Sequence, residues 1–405
     1  MEKRVLIIPD VFNVKASGAL VAKTLADLLI ELKCTVGVFN GLEDNLLDEQ
    51  IHSKYSYFNR KQFNFKANFI NTHEYAVELL DVIDQFKPSH IISVGGIVNR
   101  PLVYFDVIKN SKILHAYLIF CQDFYCARIH AALGDGPCTK CLNGSYLNAF
   151  YHNCAIKTGN NPFIFLGLST INKLRLKSKL KSLDFIMASS EEQLSYYEEY
   201  GIEKSKIKYL PLFFPYSRLE NVYPKIGDYF VISGQNRLEK GAHLLIKILP
   251  LLNLPIKIKI AFASKSEANS FVKLYNLQDF IDNGILDVLS DVSWDKGLKE
   301  LYAHARGVLI TSIWPTTTEF AFLEALGLSK PLVTFGVGIH KERIINYENG
   351  FQAKVGNFEE FAHYVNLLNE NYELCLKVSK EAKKLYNIMT NKVIFKNILS
   401  SILLE

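Results

Sequence analysis

The second half of the chain opens on the stretch YFVISGQNRLEKG, residues 229–241. It starts with a mostly apolar run of strand length, and the glycines and polar residues that follow are typical of a turn leading into a helix. The same succession of a short apolar run and a segment of helical period recurs along the chain. This alternation predicts the α/β class, with parallel sheets covered by helices on both faces.

Strands and helices are expected in both halves of the chain. In the first half, strands are predicted at Arg4–Pro9, Thr35–Phe39, His90–Val94, Ile113–Phe120 and Phe185–Ala188, with a helix over Gly18–Leu32. In the second half, the predicted strands are Tyr229–Ser233, Ile256–Ala263, Leu286–Leu289, Val308–Ile313 and Leu332–Phe335. Helices are predicted from Lys240, near Glu267–Tyr275, near Lys296–Ala305 and from Glu319. Each half therefore reads as a Rossmann-like unit.

The length of the chain favours two domains, because 405 residues are more than one hydrophobic core usually serves. Two prolines in the segment YLPLFFP, residues 209–215, restrict the backbone and indicate a linker. We therefore predict an N-terminal domain over 1–215 and a C-terminal domain over 216–390. The final segment, 391–405, is a candidate helix to return to the N-terminal domain.

Composition and charge limit the classes of function. Hydrophobic residues make up 49% of the chain, yet no apolar run reaches the roughly 20 residues that span a bilayer. The apolar run after Met1 is too short for a signal peptide, so a cytoplasmic location is expected. The net charge of +5 permits an anionic ligand or lipid surface and argues against nucleic acid as a partner.

The loop at 233–241 is a candidate anion site. Its small residues allow main-chain N–H groups to face an anion, and Lys240 and Arg237 add positive charge. A diphosphate group fits such a loop. The alternative is an ordinary turn between strand and helix with surface cations.

At these residues the chain resembles the GT4 family of retaining GT-B glycosyltransferases, and the resemblance covers most of the second half. In that family a strand, a Gly-(Arg or Gln)-x4-Lys-Gly loop and a helix hold the donor diphosphate. Here Gly234, Gln235, Lys240 and Gly241 fill the loop positions, and Arg237 is the candidate for a second cation. The resemblance implies two Rossmann-like domains that face each other across a cleft.

A second block, Thr311–Gly327, is similar to the family's Glu-x7-Glu helix, whose carboxylates contact the donor sugar and the ribose. Glu324 aligns with the second glutamate, but Thr316 stands where the first is expected. Glu319 lies five residues before Glu324, about 140° round a helix, and does not simply replace the missing group. Thr316, Glu319 and Glu324 are all candidate donor-site residues, with a dipole-compensating role as the alternative for Glu319.

The first half resembles the family less. Gly18 stands where the family has a glycine loop near the donor phosphate, although any Rossmann-like domain can begin a helix this way. A cysteine-rich insert over 121–154 is similar to one in a subset of the family, where its start supplies a histidine to the reaction centre. Gln122 holds that place here, so the neighbouring Asp123 is the candidate for acceptor contact or proton handling.

Seven cysteines, an odd number, favour free thiols or a metal site over a disulfide framework. Cys138 and Cys141 have the spacing of a zinc knuckle, and Cys126 and Cys154 flank them. These four residues are predicted ligands of a structural zinc, with buried reduced thiols as the alternative. Catalysis itself is expected to need no metal.

Cations alternate with leucines over 173–181. Such a stretch can rest on an anionic membrane surface, although a solvated helix face is the commoner explanation.

The resemblance implies a retaining transferase that moves a sugar from a nucleoside-diphosphate sugar to the hydroxyl of a glycan or lipid-linked acceptor in polysaccharide assembly. Positive charge from Lys240 and Arg237 would stabilise the departing diphosphate. The loss of the first glutamate at Thr316 favours an alternative, a catalytically silent subunit that binds a partner glycosyltransferase or a glycan. An epimerase and an inverting transferase of the same fold also remain open.

Overall fold

The computed structural model of the chain describes residues 3–12, 17–41, 54–61, 72–97, 100–154, 162–211, 216–317 and 319–404. These residues form two compact units. Unit 1 contains the described residues of 1–131, 139–214 and 391–404, and unit 2 contains those of 132–138 and 215–390.

Fifteen strands are named in chain order within this described part of the chain. They are β1 Arg4–Pro9, β2 Thr35–Gly41, β3 Ser56–Arg60, β4 His90–Val94, β5 Leu114–Leu118, β6 Ala132–Leu133, β7 Gly136–Pro137, β8 Phe185–Ala188, β9 Ile207–Tyr209, β10 Phe230–Ser233, β11 Ile258–Ala261, β12 Leu286–Leu289, β13 Gly307–Ile310, β14 Leu332–Phe335 and β15 Phe351–Ala353.

The α-helices of the same residues are named likewise. They are α1 Ser17–Glu31, α2 Thr72–Phe86, α3 Val103–Asn110, α4 Leu147–Tyr151, α5 Pro162–Lys181, α6 Glu191–Tyr200, α7 Leu245–Ile248, α8 Lys265–Tyr275, α9 Gln278–Asp282, α10 Leu298–Ala303, α11 Phe320–Gly327, α12 Gly338–Arg343, α13 Phe358–Glu370, α14 Tyr372–Met389 and α15 Lys392–Leu404. No helix among the described residues combines the length and the apolar character that crossing a membrane requires.

Unit 1 is built on a parallel seven-stranded sheet in the order β3-β2-β1-β4-β5-β8-β9. The central strands β1 and β4 are almost wholly buried, because helices cover both faces of a parallel sheet. The chain moves outward in one direction from β1 to β3 and in the other from β4 to β9. Ligands of doubly wound sheets bind at such a change of direction, beyond the carboxyl ends of the strands.

The C-terminal helix α15 belongs to unit 1. Lys392 and Lys396 each pair with Glu31 of α1, at 2.6 and 2.5 Å, and the Lys3 side chain donates to the carbonyl of Leu403. The two lysine pairs lower the pKa of the Glu31 carboxyl, mainly through their hydrogen bonds.

Unit 2 repeats the plan with a parallel six-stranded sheet in the order β12-β11-β10-β13-β14-β15. The change of direction lies between β10 and β13, which pair directly. The two loops that follow these strands, 234–241 and 311–319, therefore start side by side.

Several elements differ from the sequence prediction. The helix expected from Lys240 is instead a series of 3-10 turns, with only Leu245–Ile248 in α-helix, because Gly241 adopts a left-handed conformation and Pro250 lacks an N–H donor. The strand expected over Ile113–Phe120 is shorter, Leu114–Leu118. The edge strand β3 was not predicted, since its residues are only partly buried and lack a clear apolar pattern.

Candidate functional site

The two motif loops of unit 2 form one cluster. The hydroxyl of Thr311 donates to the carbonyl of Lys240 at 3.0 Å, and the N–H of Ile313 donates to the carbonyl of Glu239 at 3.0 Å. These bonds hold the loop after β10 against the end of β13. Residues that are far apart in the sequence are thereby brought to one edge of the sheet.

Two glycines make this close approach possible. Gly241 has a φ of +66°, and a Cβ added there would lie 1.8 Å from the carbonyl oxygen of Thr311. At Gly234 an added Cβ would lie 2.8 Å from the ring of Phe262. Packing alone therefore requires glycine at both positions, whether or not the loop also binds a ligand.

Two of the predicted polar residues of the loop, Gln235 and Arg237, are exposed to solvent. For Arg237, 64% of the side chain is accessible, with Nη1 3.8 Å from Glu239 Oε1. Arg237 is thus reachable by a ligand, and its exposed ion pair contributes little to stability.

Lys240 has a different environment, because its side chain turns toward the second loop. Its Nζ lies 2.7 Å from Glu319 Oε1 and 5.5 Å from the ring centre of Trp314, and 23% of the side chain is exposed. Ser312 Oγ donates to the same carboxylate oxygen at 2.7 Å, and His340 Nε2 lies 3.4 Å from Glu319 Oε2. The structure thus joins the predicted cation to one of the predicted carboxylates.

The charges of this cluster are set by burial and by partners. Burial raises the pKa of Glu319, but Lys240 and then His340, with hydrogen bonds from Lys240 and Ser312, lower it below its ordinary value. Burial lowers the pKa of His340, partly against the attraction of Glu319. At neutral pH the carboxylate is therefore ionised and the imidazole is neutral.

Glu324 lies further along α11, which Glu319 precedes as the N-cap residue. Its Oε1 accepts from Arg218 Nε at 2.9 Å and Nη2 at 2.8 Å, and the described chain makes no hydrogen bond to its Oε2. Arg218 in turn stacks over the ring of Trp294 at 5.0 Å. Burial raises the pKa of Glu324 to about 7 in spite of Arg218.

Thr316 is fully buried in the loop that leads to α11. Its carbonyl accepts from the N–H of Ile339 at 2.9 Å, beside Gly338, whose φ is +50°. A Cβ at Gly338 would lie 2.2 Å from that carbonyl oxygen. Thr316 thus sits beneath the turn that begins α12, and its predicted contact with a donor sugar stays a prediction.

Unit 1 carries a buried polar cluster beyond the ends of β1 and β4. Arg100 donates from Nη1 to the carbonyl of Ile8 at 2.8 Å and from Nη2 to Asp10 Oδ1 at 3.2 Å, and Asp10 Oδ2 accepts from the N–H of Gly96 at 2.5 Å. Burial raises the pKa of Asp10 against the pull of Arg100. The sequence analysis missed this pair, although Asp10 directly follows the first strand and such positions face ligands in doubly wound sheets.

Asp123 is also part of this region. Its carboxylate is fully buried and accepts from the N–H of Ile97 at 2.5 Å. Gln122 is equally buried, and its carbonyl accepts from the N–H of Cys126 at 2.8 Å. In this arrangement Asp123 orders the loop after β4, and its contact with an acceptor stays a prediction.

Gly18 lies in the first turn of α1. A Cβ there would make an ordinary contact of 3.6 Å with Val11, so packing does not require glycine. Nothing in the structure tests the predicted role of Gly18 near a donor phosphate, so that role stays a prediction.

The four cysteines of the predicted zinc set are divided between the units. Cys138 belongs to unit 2, whereas Cys126, Cys141 and Cys154 pack in one apolar cluster of unit 1. Over the described residues, no group of three or more His, Cys, Asp or Glu side chains is arranged to hold a metal ion. The residues as placed do not fit a ready metal centre, and zinc ligation stays a prediction from spacing.

The basic stretch 173–181 is not a continuous surface patch. Lys173 is only 2% exposed, and its ammonium makes no hydrogen bond within the described chain, so it cannot contact a membrane. Lys179 pairs with Asp106, and Lys177 lies over the ring of Tyr200 at 4.9 Å. The prediction of a surface role is therefore wrong for Lys173, because α5 turns this residue toward the core.

Unit 2 matches a known protein family. Residues 220–385, which contain both motif loops, match the family described as Glycosyl transferases group 1. Unit 2 is a group 1 glycosyltransferase domain. No match was found among the curated proteins compared with the chain.

Solved structures match over nearly the whole chain. Alr3699/HepE from Anabaena, in complex with UDP and glucose, has 13% identity and a TM-score of 0.68, with 99% of each chain covered. Sucrose-phosphate synthase from Thermosynechococcus elongatus has 11% identity and a TM-score of 0.72, covering 99% of this chain and 98% of its own. A TarM variant from S. aureus, in complex with Fondaparinux, alpha-GlcNAc-glycerol and UDP, has 10% identity and a TM-score of 0.67, with 99% of each chain covered. At these identities the likeness shows the fold, which is GT-B.

The α/β fold with two parallel-sheet units and the group 1 domain together identify the chain as a glycosyltransferase. Arg218, His340 and Trp294, which surround the two carboxylates of unit 2, were not among the candidates of the sequence analysis. No local pattern of the sequence connects His340 with Glu319, or Arg218 and Trp294 with Glu324.

Proposed function

We propose that this glycosyltransferase is a retaining enzyme that uses a nucleoside-diphosphate sugar as donor. Its acceptor is the hydroxyl of a glycan or a lipid-linked glycan in polysaccharide assembly. The observation that carries the donor class is the position of Lys240, a half-buried cation held at the carboxyl end of β10 beside the loop after β13. Solved neighbours that contain UDP support the same class.

The site residues have separate tasks in this proposal. Lys240 and the exposed Arg237 stabilise the negative charge that grows on the departing diphosphate, because a positioned cation lowers the energy of that charge most in the transition state. Glu324 accepts ribose hydroxyls through Oε2 while Arg218 holds Oε1. Positive charge from side chains supplies this stabilisation without a metal ion. The main-chain groups of 234–241 line the phosphate.

A thermal-shift screen tests the donor class. The purified protein is heated with UDP, GDP, CDP, ADP and their common sugars, since a ligand at 100 times its Kd stabilises by about 2.7 kcal/mol. We expect one nucleotide series to raise the melting temperature, and the shift to disappear in Lys240→Ala and Glu324→Ala. A shift that survives in both variants would place the nucleotide elsewhere.

Retention is tested by the anomeric configuration of the product. Proton NMR of the glycoside product is expected to show the same anomeric configuration as the donor. The opposite configuration would assign an inverting reaction, and epimerised free sugar nucleotide would assign an epimerase.

A catalytically silent subunit is the second candidate function, and one observation favours it. Lys240 is paired with Glu319, so its charge is already compensated inside the protein. A silent subunit is expected to give no shift with any nucleotide. Mixing the protein with donor and acceptor would then give no product until a partner transferase is added.

Contact with the inner face of an anionic membrane is part of the proposal, because a lipid-linked acceptor lies there. The outward face of α5 carries the exposed apolar residues Ile171 and Leu174 beside the exposed cations Arg175 and Lys181. Apolar side chains flanked by cations favour binding to anionic lipid. Sedimentation with vesicles of phosphatidylglycerol, but not of phosphatidylcholine, is expected, and Leu174→Asp should abolish it.

A further inference from the structure

The donor site contains a carboxylate that competes with its expected ligand. Glu319 Oε1 accepts from Lys240 Nζ and from Ser312 Oγ, each at 2.7 Å. With Glu319 ionised and His340 neutral, the charges of Lys240 and Glu319 cancel. A diphosphate that approaches Lys240 therefore meets no net positive charge in this cluster, and it approaches a buried carboxylate of its own sign.

A second base stands on the other side of the same carboxylate. His340 Nε2 lies 3.4 Å from Glu319 Oε2, and neither atom makes a hydrogen bond within the described chain. The imidazole is fully buried and packs on the ring of Phe322 at 5.1 Å. A proton on Nε2 would give Glu319 a new counterion at a distance that small side-chain adjustments reduce to a hydrogen bond.

The groups that face His340 determine when it accepts a proton. Glu319 and the main-chain carbonyl of Phe335 favour the imidazolium, whereas burial and the ammonium of Lys240 oppose it. Tyr302 lies within electrostatic range of Glu319, but burial raises its pKa far above neutral and keeps it uncharged. When a diphosphate pairs with Lys240, it neutralises the ammonium. The main charge that opposes protonation of His340 is then removed.

We propose that donor binding exchanges the counterion of Glu319: a diphosphate takes Lys240, and His340 takes up one proton from solvent to hold Glu319 in its place. The exchange rests on the proposed function, since it needs a diphosphate at Lys240. No bond other than the N–H of His340 is formed, and the proton leaves again with the product nucleotide. His340 is thus a positioning residue that acts on the donor through Glu319 and Lys240.

Calorimetric titration with UDP-glucose counts this proton. The diphosphate of a sugar nucleotide is a diester with no proton to exchange near neutral pH, so uptake reports on the protein. The binding enthalpy is measured at pH 7.5 in Tris and in HEPES, whose ionisation enthalpies differ. We expect an uptake approaching one proton, and affinity that rises by up to about tenfold for each unit of falling pH above the titration of His340.

Two variants distinguish the exchange from a structural role of His340. Glu319→Gln is expected to bind UDP-glucose about tenfold more tightly than the wild type at pH 8, with little proton uptake, because Lys240 is already released. His340→Gln is expected to keep the fold, to bind more weakly at pH 6.5, and to lose the pH dependence of affinity.

The outcomes separate the two proposals. Binding without proton uptake in the wild type, or equal uptake in His340→Gln and the wild type, would overturn the exchange and leave the donor site intact. If UDP-glucose and every other sugar nucleotide of the screen fail to bind, the proposed function and the exchange fall together. Weaker binding in Glu319→Gln at pH 8 would show that the carboxylate supports the ligand and would also overturn the exchange.

Discussion

The short helix α11 has one carboxylate at its N-cap and another in its middle, and the two are almost equally buried but differ in their electrostatic behaviour. Glu319, the N-cap residue, has 6% of its side chain exposed, and so does Glu324 one turn further on. Lys240, Ser312 and His340 gather round Glu319 and keep its pKa below the ordinary value, whereas Glu324 has Arg218 alone and a pKa of about 7. Burial therefore does not decide the charge of a carboxyl group; the number and kind of its partners do.

Removal of Lys240 should have the largest effect on this contrast. At pH 8, above the titration of His340, Lys240→Ala leaves the buried Glu319 without a cation, and breaking one side of a buried pair costs about 3–5 kcal/mol of unfolding free energy. Transferase activity should also fall on the order of 10² or more. Chemical denaturation and initial rates measure the two effects, with the exposed Lys273→Ala as control. Near-normal turnover in Lys240→Ala would refute the assignment of this residue.

The next largest effect, a loss of stability, is expected from a substitution in the loop that positions Lys240 beside Glu319. Gly241 and Gly284 have nearly equal positive φ values of +66° and +69°, but only at Gly241 does an added Cβ meet the main chain. Gly241→Ala should therefore lose about 2–3 kcal/mol more stability than Gly284→Ala, since overpacking adds to the shared backbone strain. Denaturant titration of both variants isolates the clash. Equal losses would mean that the loop moves freely away from Thr311.

The pH dependence of the free energy of unfolding tests the difference between Glu319 and Glu324. Its pKa is raised in the folded state, so its contribution to stability is fully present below the unfolded pKa near 4.5 and is lost as pH rises through about 7. Relative to Glu324→Gln, the wild type should lose up to about 1.4 kcal/mol per pH unit in that window. Urea titrations from pH 5 to 8 measure the difference. A wild-type advantage that grows with pH would contradict the raised pKa.

The smallest effect is expected at the aromatic support of Arg218. Trp294 stacks on the guanidinium, and its indole N–H donates to the carbonyl of Arg218 at 3.1 Å. Trp294→Phe should cost about 1 kcal/mol in unfolding free energy, because a ring face remains while the hydrogen bond is lost. The Glu324→Gln background serves as control in a double-mutant cycle. A coupling near zero would show that Trp294 does not act through the Arg218–Glu324 pair.

Much of the fold could be predicted from local pattern. The predicted bounds of β1, β4, β8 and β14 agree with the structure, because each is a short apolar run that is buried in a parallel sheet covered by helices. The stretch from Lys240 was predicted wrongly as a helix, since a left-handed glycine and a proline outweigh the helical period of its leucines. Strand β3 was missed because its residues, SYFNR, are only partly buried and show no apolar alternation.

The amino-acid sequence by itself determined the α/β class, the strand–loop pattern round 234–241 and the chemical types gathered in the second half. Tertiary structure alone decided which charges meet. Lys240 and Glu319 are 79 positions apart, and Arg218 and Glu324 are 106 apart, so neither pair follows from a local period. The order of β10 and β13 in the sheet brings Lys240 to Glu319, and the turn at 216–219 brings Arg218 to Glu324. Strand order is set by the packing of the whole unit, and for that reason the partners of a buried charge are a tertiary property.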